Sequence, residues 1–100
     1  MSDLSEFRKE QLQDPEFREY YLNMKVSSDI AKAIVAGRLC RNLTQKELSL
    51  VTGITQSDIS RAERCEVNLT LRTLQRIAKG LDMVIDIKLV PIENFAGGEE

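Results

Sequence analysis

The apolar positions of this 100-residue chain change their spacing along its length, and the changes mark its parts. Residues 2–12 carry Leu4, Phe7 and Leu12 among charges at only loosely helical spacing, which predicts a short helix at most. Asp14-Pro15 is a helix start, with aspartate as cap and proline at the first helical position. Phe17, Tyr20, Tyr21 and Met24 then recur at i, i+3, i+4 and i+7, an amphipathic helix. Ser27-Ser28-Asp29 offers a further cap. The helix it opens runs to about Arg41, with Ile30, Ile34 and Val35 on its apolar side. Ala31, Ala33 and Gly37 are small enough to admit a close neighbour, and Leu39 and Cys40 extend the apolar surface.

The sharpest punctuation lies at Leu43–Glu66. Thr44 with Glu47 three residues on makes a capping box, and Leu48 and Val51 share a helical face. Thr52-Gly53 stops that helix, because glycine accepts the left-handed conformation of a sharp turn. Thr55 caps a second short helix with Ile59 and Ala62 inside and Gln56, Ser57, Ser60 and Arg61 outside. Beyond a loop at Val67-Asn68-Leu69, Thr70 caps a helix. Leu71, Leu74, Ile77, Ala78 and Leu81 lie on one side of it, and Arg72, Arg76 and Lys79 on the other. Gly80 weakens its end, and Asp82 is a turn residue.

Then the period falls to two. Residues 83–90, MVIDIKLV, are rich in β-branched side chains, with Ile85, Ile87 and Leu89 facing one way and Asp86 and Lys88 the other. Pro91 ends the run, and the Gly97-Gly98-Glu99-Glu100 tail reads as disordered. The pattern thus predicts an all-α fold of about five helices with one C-terminal strand. Its parts are a helical extension (1–26), a helical core around the paired short helices (27–82), the strand (83–91) and a flexible tail (92–100). A single strand has no sheet to satisfy its N–H and C=O groups. Antiparallel pairing with the same strand of a second copy is the economical solution and predicts a homodimer. A hairpin with residues 91–96, or pairing with another protein's sheet edge, are the alternatives.

Composition narrows the function. Apolar content of 42% and charged content of 30% suit one soluble globular domain. No run approaches membrane-spanning length and no signal peptide opens the chain, so a cytoplasmic location is expected. Cys40 and Cys65 have no CxxC spacing and no histidine to join them, which argues for free thiols and no metal site. With no histidine and no phosphate-cradling glycine loop, an enzyme is not expected, nor a cofactor or small-molecule ligand. The formal charge is −2 overall. It is unevenly spread: −3 over residues 1–20, +4 over 21–82 and −3 over 83–100. The basic charge therefore coincides with the paired short helices, where it attracts phosphate despite the chain total.

A short helix with an apolar inner face and an amide-, hydroxyl- and guanidinium-bearing outer face suits the major groove. Gln56 is the leading base reader, since an amide both donates to and accepts from adenine. Ser57, Ser60 and Arg61 are the other base-contacting candidates. Gln45, Lys46, Thr55, Arg64, Asn68 and Arg72 are candidates for the phosphates. A two-fold dimer sets two such helices in successive major grooves of a palindromic operator in double-stranded DNA. Four of the five aromatics, Phe7, Phe17, Tyr20 and Tyr21, precede residue 22. They either cap the core of their own subunit or anchor a basic protein partner.

Residues 28–82 resemble the XRE family, the helix-turn-helix domain of Cro and phage repressors. The resemblance rests on Leu43-Thr44-Gln45 with Leu48, on Gly53, and on Thr55-Gln56-Ser57-Asp58-Ile59-Ser60-Arg61-Ala62-Glu63-Arg64. Asn68 through Leu74, then Ile77, Ala78 and Leu81, complete it. It implies a buried structural ion pair between Arg38 and Glu63. Ser49, Cys65 and Leu69 depart from the family's alanine, glycine and proline, so the cap after the second helix must be made another way. DPEFREYY at 14–21 and LVP at 89–91 resemble antitoxins of the HigA type, XRE repressors that neutralise a RelE/HigB-like ribonuclease and repress their own operon. That narrower resemblance implies a small basic toxin as partner, with Phe17, Tyr20 and Tyr21 as candidate contacts. The alternatives are a stand-alone XRE repressor without a toxin, or an interaction module that has lost DNA binding.

Overall fold

The computed structural model describes residues 13–92. Among them are four helices: α1 Pro15–Cys40, α2 Gln45–Thr52, α3 Gln56–Glu63 and α4 Leu71–Gly80. The helix expected within residues 2–12 and the tail from residue 93 lie outside the described residues.

The expected count of about five helices is corrected by α1, which runs unbroken for 26 residues. The Ser27-Ser28-Asp29 cap is not used. Serine and aspartate favour caps but tolerate a helix interior at a cost of a few tenths of a kcal/mol each. No proline or glycine lies between Pro15 and Gly37 to force a break. The expected C-terminal strand is likewise not formed among the described residues. A strand exists through its ladder, and among the described residues no second strand lies beside residues 83–90. The two-residue alternation is kept only at the start: Met83 and Ile85 are half-buried and Val84 is exposed. Ile87 and Leu89 are 67% and 97% exposed.

Residues Val26–Asp86 form one compact unit, and the described residues 13–25 and 87–92 belong to a second. The core of the first unit is Ile34 from α1, Leu48 from α2, Ile59 and Ala62 from α3, and Ile77 and Leu81 from α4 and its end, with Ile54 from the α2–α3 turn. Leu48 and Ile59 are fully buried. Ile30, Leu43, Leu69, Leu74 and Met83 pack against this cluster. Two positions expected inside are out: Val51 is 56% and Leu71 59% exposed. The inward stripe of α2 is instead Gln45, Leu48, Ser49 and Thr52, three of them polar. Gln45 and Thr52 face inward because their side chains have bonds to make there, and apolarity alone does not register that.

Threonines start the three short helices. Thr44, Thr55 and Thr70 each accept a backbone N–H from the residue three further on. At Thr44 the capping box is complete, with the Glu47 carboxylate accepting the Thr44 N–H. The helix ends share a second device. Asn42, Cys65 and Asp82 all take positive φ, at 59°, 61° and 58°. After α1, Asn42 donates to the Leu39 carbonyl and Leu43 to that of Arg38. After α3, Cys65 donates to Ala62 and Glu66 to Arg61, and after α4, Asp82 donates to Lys79 and Met83 to Ala78. Each is a Schellman motif built without glycine. The helix α3 is therefore not capped another way: Cys65 takes the glycine's conformation.

In the second unit, the rings of Phe17 and Tyr21 stack with centroids 6.4 Å apart. Tyr20 and Met24 are 60% and 51% exposed.

Candidate nucleic-acid interface

The turn between α2 and α3 is held at three points. Gly53, at φ 77°, donates its N–H to the Ser49 carbonyl. The Thr52 hydroxyl donates to the Leu48 carbonyl at 2.8 Å and accepts the Ile54 N–H at 3.2 Å. From α4, Arg76 Nη2 donates to the Thr52 carbonyl at 2.9 Å. A Cβ at Gly53 would lie 3.2 Å from that guanidinium, so the left-handed φ and the close approach both favour glycine.

The angle of α3 is fixed from α1. Arg38 Nε donates to Glu63 Oε2 at 2.7 Å and Nη2 to Oε1 at 3.0 Å, a two-pronged ion pair. Arg38 Nη1 also donates to the Leu43 carbonyl at 2.8 Å, and Gln45 Nε2 donates to Glu63 Oε1 at 2.9 Å. The two charged side chains are only 14% and 5% exposed. Burial pushes the Glu63 carboxyl up, but the bonds from Arg38 and Gln45 and the guanidinium charge outweigh it and hold it below the ordinary carboxylate range. The same bond raises Arg38. One cluster thus ties α1, the α1–α2 connection, α2 and α3 together.

With Ile59 and Ala62 in the core, α3 presents Gln56, Ser57 and Arg61 to solvent, with Ser60 half-buried on the flank. Arg61 Nη2 bonds Asp58 Oδ1 at 2.9 Å within the helix. Arg64 is paired to Glu66 through Nε at 2.9 Å and also donates to the Ser60 hydroxyl. Thr55 is exposed, and its Oγ1 accepts the Asp58 N–H at 3.1 Å. That leaves its own hydroxyl proton to donate outward. Lys46, Asn68 and Arg72 are exposed. Gln45 is half-buried, with its amide turned to Glu63, so only its backbone N–H at the start of α2 is left free of an intrahelical partner.

Three roles had no place in the sequence reading. Arg76, although exposed, closes the turn through the Thr52 carbonyl. Arg41 donates from Nε to the Leu81 carbonyl at 2.8 Å and from Nη2 to that of Asp82 at 3.1 Å, satisfying the end of α4. Asp58 partners Arg61, and here the i, i+3 spacing of opposite charges was a signal in plain view. Among the described residues no cluster of potential metal ligands occurs, and no helix is long and apolar enough to cross a membrane.

A buried-core pair of short helices with a glycine turn, braced by two neighbouring helices, is the architecture of a helix-turn-helix domain. Residues 36–84 match the helix-turn-helix family model. A Haemophilus influenzae protein described as an uncharacterized HTH-type transcriptional regulator is 27% identical over 93 residues, spanning 93% of this chain and 91% of that protein. No solved structure gives a significant match.

Proposed function

We propose that this protein is a sequence-specific DNA-binding transcriptional repressor of the cytoplasm, acting as a homodimer and not as an enzyme. The observation that carries the reading is the outward face of α3. Gln56, Ser57, Ser60 and Arg61 lie on a short helix whose angle is set by the Arg38–Glu63 pair and whose turn is closed by Arg76. Base recognition needs such a rigid mount, because hydrogen bonds to base edges tolerate little misplacement. The reading assigns DNA binding to residues 27–82 and dimerisation to 83–91 through Ile85, Ile87 and Leu89. Gel-shift on the DNA upstream of the protein's own operon tests it. The wild type binds, and the Gln56→Ala, Arg61→Ala double variant loses the specific complex. Survival of that complex in the double variant removes the base-reader assignment.

A finer reading makes the protein the antitoxin of a type II toxin–antitoxin pair. It is favoured by Tyr20 and Met24, which stand exposed on the first turns of α1 next to the Phe17–Tyr21 stack. Large apolar side chains held out to solvent are anchors in want of a pocket. Co-expression with the adjacent small basic reading frame tests it. Rescue of growth that is lost on Tyr20→Ala supports the reading, and a co-expressed pair that forms no complex rejects it.

A further inference from the structure

We propose that Asp58 and Arg61 act together as a composite reader of a single G·C base pair. The inference rests on the DNA-binding reading above. Arg61 Nη2 lies 2.9 Å from Asp58 Oδ1, and the two side chains are 48% and 56% exposed. Both belong to the first two turns of α3, the part of a recognition helix that meets base edges. Ile59 and Ala62 are buried, which leaves the pair on the solvent side of the helix.

The bond between them uses one terminal nitrogen and one carboxylate oxygen. A guanidinium has five N–H donors and a carboxylate about four lone-pair sites, so each partner keeps most of its capacity. A G·C pair offers the complement in the major groove: guanine O6 and N7 accept, and beside them cytosine N4 donates. The Arg61 fork meets the guanine, and Asp58 accepts from the cytosine. An A·T pair in the same orientation fails at both halves. Adenine N6–H faces the arginine donors, and thymine O4 faces the carboxylate. The carboxylate also gains nothing from phosphate, so Asp58 discriminates without adding to sequence-independent attraction. Asp58 has a structural use as well, being an acid in the first turn of α3. That use moves stability and leaves base preference untouched.

The test selects duplexes from a randomised double-stranded DNA library with the full-length chain, then titrates the selected duplex and single-pair variants at fixed salt. The variants are Asp58→Ala, which keeps a strong helix former in place, and Arg61→Lys, which keeps the charge and loses the fork. The wild type is expected to fix one G·C pair per half-site. Asp58→Ala is expected to keep binding while its preference for that pair over A·T falls about tenfold, and Arg61→Lys to lose preference at the same pair. Unchanged preference at every position in Asp58→Ala overturns the inference. A wild type that enriches no sequence overturns the parent reading, and is seen before any variant is made.

Discussion

Cys65 holds a conformation that costs a side chain dearly. Its φ of 61° is left-handed, and the Schellman bonds from Cys65 and Glu66 back into α3 hold it there. The left-handed region costs an L-residue about 1–2 kcal/mol, against which glycine loses less than 1 kcal/mol through the unfolded chain. Cys65→Gly is therefore expected to raise stability by about 0.5–1 kcal/mol in urea unfolding, and Cys65→Val to lower it. The half-buried pair of Arg38 and Glu63 behaves oppositely. Glu63→Gln leaves Arg38 in a site that is 14% exposed without its counter-charge, and a loss below the about 3–5 kcal/mol of a fully buried pair is expected. The pH dependence follows from the sign of the shift. Glu63 is held below its unfolded value, so its contribution is complete above the unfolded pKa of about 4.3 and is lost as pH falls through the lower folded value. Thermal unfolding between pH 6 and pH 3 shows a slope that Glu63→Gln flattens. The Arg38–Glu63 pair was implied by resemblance, but only the structure reveals that Gln45 joins it, because an amide at the first turn of a helix looks equally fit for phosphate.

At the scale of elements, the short helices were legible because their punctuation is local. A threonine cap needs the residue three further on, and Gly53 needs only itself. The continuous α1 was not legible, since Ser27-Ser28-Asp29 carries the same letters whether or not the helix N–H groups there are free. The contact between α2 and α4 was equally hidden. A Cβ at Gly80 would lie 2.6 Å from Thr52 Cγ2. That methyl cannot swing away, because the Thr52 hydroxyl is bonded on both sides of the turn. Gly80→Ala is thus expected to cost about 1–2 kcal/mol by overpacking, net of its helix propensity gain, and thermal melting measures it. The sequence reading took this glycine for a weak helix end, whereas its use is close approach.

At the scale of the whole molecule, the exposed charges and apolar side chains bear on what it binds. Lys46 and Arg72 are exposed without an ion-pair partner among the described residues, unlike Arg38, Arg61 and Arg64. If they meet phosphates, Lys46→Ala and Arg72→Ala each lower the slope of log affinity against log salt by about one, with base preference unchanged. The exposed Ile87 and Leu89 belong to the proposed dimer contact. Leu89→Lys is expected to convert a dimer to a monomer in sedimentation equilibrium, and a wild-type monomer removes the contact. The helix ends have a consequence for the order in which the chain acquires its structure. Caps and Schellman turns close over three to five residues, while Arg38 reaches Glu63 across 25 and Arg41 reaches Leu81 across 40. Short loops close first, and long ones wait for the core. In stopped-flow chevrons, Thr44→Ala and Thr55→Ala should therefore slow refolding, whereas Glu63→Gln and loss of Arg41 should chiefly speed unfolding. The bonds that fix the angle of α3 are then the last to form and the first whose loss sets the lifetime of the native state.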